Sequence, residues 1–206
     1  MLTGPPGTGK TSLIKAISNS LKKNICYLKL KDITTDDRLE DAFSNIVDNS
    51  IIIIEDIDCA SDVVLSRALK PKDLKKEGLG GRGFTLSCLL NCFDGLYDSE
   101  GRIIIITTNH PEKLDPALIR PGRIDYTINL DLCTIDQLQK FHKAFYKMAI
   151  PEEYLPKLKE KVISPATVSG IFMRYRFDPK QGMEVIVREM NKVKEMTEED
   201  VKIVNA

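Results

Sequence analysis

The sequence predicts an α/β fold: a parallel sheet with flanking helices, followed by a small C-terminal helical lobe. Three observations predict it. Short β-branched runs, "SIIIIEDID" and "RIIIITTN", alternate with stretches of helical periodicity. Continuous apolar strands of that kind belong to parallel sheets covered on both faces. A glycine-rich segment, "GPPGTGKT", runs straight into a helical pattern. After Cys133 the strand signals stop, and helical segments broken by Pro and Gly take over.

Each element has its own signal. Thr11 to about Leu21 reads as a helix with Leu13, Ile14, Ile17 and Leu21 on one side. "NICYLKL", Asn24 to Leu30, reads as a strand. "DDRLEDAFSNIV" reads as a helix with Leu39, Phe43, Ile46 and Val47 inward. "KPKDLKKEGLGGRG" is rich in Lys and Gly and reads as a surface loop. "FTLSCLLNCFDGL" reads as a helix with Phe84, Leu89, Leu90 and Phe93 in the core. "YTINLDL" is a further strand. A Thr-x-x-Gln capping box at Thr134 and Gln137 opens the next helix. "PEEYLPKLKEKV", "SPATVSGIFMRYRF" and "DPKQGMEVIVREMNKVKEM" all have helical patterns. The expected division is an α/β core over 1–133 and a smaller helical lobe over 134–206.

The totals set the class. A chain of 206 residues buries a real core. Formal net charge is zero, so neither nucleic acid nor an anionic membrane is expected as main partner. The five cysteines are an odd number and form no C-x-x-C pair, which fits reduced thiols. No apolar run reaches membrane-spanning length.

"GPPGTGKT", Gly4 to Thr11, fits G-x-x-x-x-G-K-[ST]. The segment Gly4, Pro5, Pro6, Gly7, Thr8, Gly9, Lys10, Thr11 and Ser12 is therefore the expected phosphate loop. Its glycines let backbone N–H groups turn toward phosphate oxygens, Lys10 reaches the β- and γ-phosphates, and the Thr11 hydroxyl ligates Mg²⁺. An accidental Gly/Pro turn is the alternative, and the following helix and downstream acidic strand end argue against it. "IIIIEDID" offers Glu55, Asp56 and Asp58 as acids to hold the metal's water shell and to polarise the attacking water. Asn109, at the end of "TTN", is placed to orient that water, although an Asn at a strand end is commonly a turn former. In "LDPALIRPGRIDY", Arg120 and Arg123 flank Pro-Gly, where they either reach a phosphate bound by a neighbouring copy or form surface salt bridges.

These four motifs, in this order, resemble the AAA family of ATPases, whose members form rings. "GPPGTGKT" matches the Walker A motif, "IIIIEDID" the Walker B strand, "TTN" the sensor-1 strand, and "LDPALIRPGRID" the second region of homology with its arginine fingers. "FTLSCLLNCFDGL", "IIIITTNHPEKLDPALIRPGRID" and "ISPATVSGIF" resemble one branch, that of the mitochondrial chaperone assembling the respiratory cytochrome bc complex, with its plant and protist relatives. The resemblance implies an ATP-hydrolysing chaperone or translocase module that forms a homo-oligomeric ring and acts on a protein substrate. It implies a mitochondrial inner-membrane setting; otherwise the cytoplasm is expected. Most AAA proteins place Asp before Glu on this strand. Here the order is Glu55-Asp56, which gives Glu55 the metal role by position and Asp56 the base role, and leaves their division of labour open.

Two departures qualify the resemblance. "KLKDITTDDR" has neither the aromatic residue nor the glycine of an unfoldase pore loop. That argues against a general unfoldase and fits a folded cargo, such as the one the branch's mitochondrial member moves. The second departure lies upstream of the loop. Only Met1, Leu2 and Thr3 represent the strand that precedes it, so an unfilled slot in the sheet, a loop anchored from one side only and low stability are expected. The branch's membrane helix and middle domain lie outside these residues, so membrane contact is expected only through such a segment. A truncated interaction module without hydrolysis is the competing reading.

Overall fold

The computed structural model describes residues 1–60, 83–94 and 101–204. The loop expected at 70–83 lies almost wholly outside them. The chain folds as two compact units: Met1–Gly4 with Lys10–Asn129, and Pro5–Gly9 with Leu130–Ala206.

The first unit is built on five parallel strands in the order β2-β3-β4-β1-β5. They are β1 (Leu2–Thr3), β2 (Asn24–Tyr27), β3 (Ser50–Ile54), β4 (Ile103–Thr108) and β5 (Ile128–Asn129). Ile51–Ile54 pair with Ile103–Ile106 one to one, and Ile51, Ile52, Ile53 and Ile54 are all 0% exposed. A strand buried on both faces needs no alternation, which is why an unbroken β-branched run forms the sheet centre. Ile52 and Ile54 pack with Leu39, Phe43, Leu89 and Ile106 on one face. Ile51 and Ile53 pack with Leu2, Ile14 and Ile105 on the other. Helices α1 (Lys10–Leu21), α2 (Asp36–Ser44), α3 (Ile57–Ala60) and α4 (Leu86–Phe93) belong to this unit. Thr35 and Thr85 cap α2 and α4 by accepting from the third backbone N–H beyond them.

Three expectations change here. β2 was expected to run to Leu30 but ends at Tyr27; the Leu28 N–H still bonds the Ile53 carbonyl at 2.9 Å, and a 3-10 turn over Leu30–Asp32 follows. β3 itself ends at Ile54, so little ladder remains for a longer β2. β5 is confined to Ile128–Asn129 rather than spanning "YTINLDL", because its only strand partner among the described residues is the two-residue β1. The expected one-sided anchoring of the loop is also corrected. Leu2 and Thr3 pair with Thr107 and Thr108 on one flank and with Ile128 and Asn129 on the other. The Met1 carbonyl accepts from Ile128 N–H at 2.9 Å. Beside the earlier part of β4 there is a 460 Å³ groove, lined by Met1, Ile17, Ile103, Ile105, Ile124 and Ile128 among others.

The second unit contains α5 (Ile135–Tyr146), α6 (Pro165–Arg174) and α7 (Pro179–Val204). Its core joins Leu138, Ile150, Tyr154, Val168, Phe172, Met183 and Ile186. The capping box is complete: Thr134 Oγ1 accepts from Gln137 N–H, and Gln137 Oε1 accepts from Thr134 N–H. "PEEYLPKLKEKV" forms a 3-10 helix over Glu152–Lys157 rather than an α-helix. Pro156 lies inside it and supplies no N–H, so an i to i−4 ladder cannot be sustained there.

Candidate nucleotide site

Sheet order places the functional side chains. β1, β3 and β4 are parallel, so the segments that leave them emerge at the same edge of the sheet. Gly4 follows β1, Glu55 follows β3 and Asn109 follows β4. Lys10 opens α1 and is only 9% exposed. Its Nζ donates to the Gly4 carbonyl at 2.7 Å and to Asn109 Oδ1 at 2.7 Å. Burial pushes the Lys10 ammonium below the ordinary lysine range, and the Asp56 and Asp58 carboxylates partly offset that. Thr11 Oγ1 donates to Glu55 Oε1 at 3.0 Å. The structure thus brings together Lys10, Thr11, Glu55 and Asn109.

Asp56 and Asp58 differ. Asp56 is exposed and holds a left-handed backbone, φ 46°. Its N–H donates to Thr107 Oγ1 at 2.9 Å, which ties this strained turn to β4. Asp58 is buried, and Thr108 Oγ1 donates to its Oδ1 at 2.6 Å. The same hydroxyl accepts from His110 N–H at 3.0 Å. Burial pushes the Asp58 carboxyl up. Hydrogen bonds from Thr108, from its own N–H, from the Cys59 thiol and from Asn109 N–H outweigh that and hold it below the usual carboxylate range. Thr107 and Thr108 are contributors that the sequence motifs do not single out. Two hydroxyls on a β-branched strand end, next to an acidic strand end, were the available signal.

The two arginines are not equivalent. Arg123 makes a two-pronged ion pair with Asp94, and its Nη1 donates to the Ala117 carbonyl at 2.6 Å. The Arg123 hydrogen bonds hold the Asp94 carboxyl below its ordinary range. Arg120 is exposed and makes no side-chain hydrogen bond among the described residues.

Residues Pro5–Gly9 group with the second unit. Gly7 has φ 76° and Gly9 φ 101°, conformations that disfavour any side chain. Thr8 Oγ1 donates to the Pro5 carbonyl at 2.8 Å, closing the loop on itself. Ala166 N–H, in the first turn of α6, donates to the Gly7 carbonyl at 3.0 Å. A Cβ on Gly7 would lie 3.0 Å from Ser164 Oγ and 3.2 Å from Ala166 Cβ, so the contact itself requires glycine. Pro6 and Ser12 are exposed.

Comparison with known proteins decides the family. The family described as "ATPase family associated with various cellular activities (AAA)" matches residues 1–132. This chain belongs to the AAA family. Mitochondrial chaperone BCS1 of Bos taurus is 41% identical over 186 residues, 87% of this chain and 43% of the relative. An AAA-ATPase of Arabidopsis thaliana is 40% identical over 196 residues, 91% of this chain and 41% of the relative. A protein of Acanthamoeba polyphaga mimivirus that carries the AAA family name is 37% identical over 191 residues, 83% of this chain and 97% of its own length. The chain therefore spans less than half the length of the chaperone it resembles. AAA membership implies nucleotide binding with a divalent metal, and this donor set suits both. A buried ammonium lies in the field of two carboxylates. A hydroxyl stands beside a carboxylate, the hard oxygen donors a small divalent cation takes.

Proposed function

We propose that this chain binds and hydrolyses ATP, with Mg²⁺, as a chaperone or translocase module acting on a protein substrate within a ring of identical copies. The observation that carries this reading is the convergence of Lys10, Thr11, Glu55 and Asn109 within 2.7–3.0 Å contacts at one edge of the sheet. Phosphoryl transfer asks mainly for positioning and charge, and these residues offer both. Lys10 exchanges its bonds to Asn109 and the Gly4 carbonyl for the β- and γ-phosphates. That exchange frees the Asn109 amide to orient the attacking water. Asp56, exposed beside Lys10's field, accepts the water's proton. Thr11 and Glu55 would hold the metal. Mg²⁺, when bound, neutralises charge on the phosphate oxygens and orients them for in-line attack.

Arg120 is the better placed of the two arginines to reach a neighbouring copy, and Arg123 shapes the turn that carries it. The nucleotide-binding core (1–133) and the helical lid (134–206) act together in this reading, with the lid sensing the loop through the Gly7–Ala166 bond. The cargo is a folded protein, and the setting is the mitochondrial inner membrane, as the names of the chaperone relatives suggest for the compartment. No helix among the described residues is long and apolar enough to cross a membrane. The test is the melting temperature with and without Mg-ATP, together with phosphate release, for the parent and for Lys10→Ala. A nucleotide-dependent rise and phosphate release in the parent, both absent in Lys10→Ala, are expected. Equal responses in both would refute the site.

A further inference from the structure

Asp58 takes no part in the chemistry described above, although it sits two residues beyond the base. Its surroundings are unlike those of Glu55 and Asp56, which are exposed. It is 9% exposed and packed at the start of α3, beside the end of β4. One carboxylate oxygen accepts the Thr108 hydroxyl at 2.6 Å, and the Cys59 thiol donates to the other at 3.6 Å. Thr108 in turn accepts from His110 N–H at 3.0 Å, so the carboxylate and one hydroxyl span the whole turn Thr108–His110. Thr108 is itself 0% exposed.

We propose that Asp58 is a positioning residue: bonded to the Thr108 hydroxyl, which also holds the His110 N–H, it clamps the turn on both sides of Asn109 and so fixes the direction in which the Asn109 amide points and thereby the place of the attacking water. This rests on the hydrolytic reading above. Asn109 ends a strand and enters an irregular turn, where a side chain has no ladder to hold it. A buried anion with several donors supplies that rigidity, because charge-assisted hydrogen bonds are about twice as strong as neutral ones. The Asn109 amide oxygen accepts from Lys10 Nζ at 2.7 Å. Once Lys10 turns to phosphate, the Asp58–Thr108 brace is what remains to hold Asn109. An error of order 1 Å in such a group costs up to about a hundredfold in rate, while ground-state binding by the loop and Lys10 is untouched.

The experiment uses the full chain carrying Asp58→Asn, Thr108→Val, Thr108→Ser and the double variant Asp58→Asn/Thr108→Val. Phosphate release, Mg-ATP and Mg-ADP affinity and thermal unfolding are measured for each. The expected result is a loss of about tenfold or more in kcat for Asp58→Asn and for Thr108→Val, with Mg-ATP KM changed less than about twofold. The double variant should be little worse than either single one, since both cut the same brace. Thr108→Ser, which keeps the hydroxyl, should restore the rate. Unchanged kcat in a folded Asp58→Asn protein overturns the proposal. So does a parallel fall in melting temperature, nucleotide affinity and rate, which marks a scaffold role only. If Asp58→Asn does not fold, Thr108→Val carries the test, and full activity in it overturns the proposal. A parent that releases no phosphate refutes the hydrolytic reading instead. The brace, which places the attacking water, falls with that reading; a parent that releases phosphate beside a folded Asp58→Asn protein that matches its rate sinks the brace alone.

Discussion

Lys10 shows how a single side chain can be read in sequence and still surprise in structure. The spacing of "GPPGTGKT" predicts a lysine beside phosphate, and a buried ammonium at the head of α1 is what the fold provides. What spacing cannot show is that Asn109 and the Gly4 carbonyl hold this ammonium. The same limit applies to the acids. "EDID" offers three carboxylates with equal claim, and only tertiary packing sends Asp58 inward against Thr108 while leaving Glu55 beside Thr11. The arginine pair looks symmetrical about Pro-Gly, yet Asp94, 29 residues earlier in the chain, captures Arg123. These contacts join residues far apart in sequence, so no local pattern encodes them. Two predictions belong at this scale. Asp56→Asn should retain Mg-ATP affinity and lose hydrolysis by about a hundredfold or more, because an amide does not accept the water's proton. Glu55→Gln should instead raise the Mg²⁺ concentration needed for half-maximal rate. Metal titrations of both variants check this, and ATP trapping by Glu55→Gln alone would reverse the two roles. The second prediction concerns pH. Folding lowers the Asp58 pKa, so its contribution to stability is present above the unfolded Asp value, about 3.9. It is lost as pH falls through the lower folded value. The gap in melting temperature between parent and Asp58→Asn should therefore be widest near neutrality and shrink as pH falls below about 4. A gap independent of pH would show that the carboxylate's charge contributes nothing.

At the scale of elements, the strands whose sequence alone decides them were legible, and those decided by a neighbour were not. The Ile51–Ile54 and Ile103–Ile106 runs specify buried parallel strands wherever they fall, and they pair in full register. "NICYLKL" and "YTINLDL" have the same local character, but each is cut to the length of its neighbour. In the helical lobe the capping box marked the start of α5 correctly, because both partners lie within one turn. Pro156 carries the reason for the 3-10 helix in plain view, although the apolar spacing around it favours an α-helix. β1 is the instructive case. Its two residues pair on both flanks, yet Ile103–Ile106 lack a β1 partner along their length, and the apolar groove lies there. Placing about three apolar, β-branched residues before Met1 should extend β1 into this groove, since the register Leu2↔Thr107 sets Met1 against Ile106 and leaves Ile103–Ile105 of β4 to pair. Each side chain buried this way contributes about 1.5–3 kcal/mol at most, and each kcal/mol raises the melting temperature of a chain this size by about 2–4 °C. Thermal unfolding of the two versions, with and without Mg-ATP, is the check. Equal melting temperatures and equal nucleotide shifts would show that the groove is not a strand seat.

For the whole molecule, the question is whether one copy suffices. Within the described part of a single chain Lys10 meets Asn109 and Thr11 meets Glu55, but neither Arg120 nor Arg123 bonds to any of these four. Arg123 is spent on Asp94, and Arg120 projects into solvent. A phosphate-directed guanidinium is worth orders of magnitude in phosphoryl transfer, so a chain without one in its own site should be slow until another copy supplies it. Arg120 is free to do so, because withdrawing it breaks no bond among the described residues. Lys10→Ala and Arg120→Ala subunits should each be inactive alone, the first for want of nucleotide and the second for want of the partner's charge. Mixed in equal amounts, they should regain part of the parent's rate. Some interfaces then join an intact loop from an Arg120→Ala subunit to an intact arginine from a Lys10→Ala subunit. The rate should also rise more steeply than linearly with protein concentration as copies associate. Phosphate release from mixtures whose co-assembly has been verified by light scattering and cross-linking is the measurement. Mixed assemblies with no recovered activity, or a proven monomer as active as the assembled protein, would place the source of the missing charge elsewhere than in a neighbouring copy's Arg120.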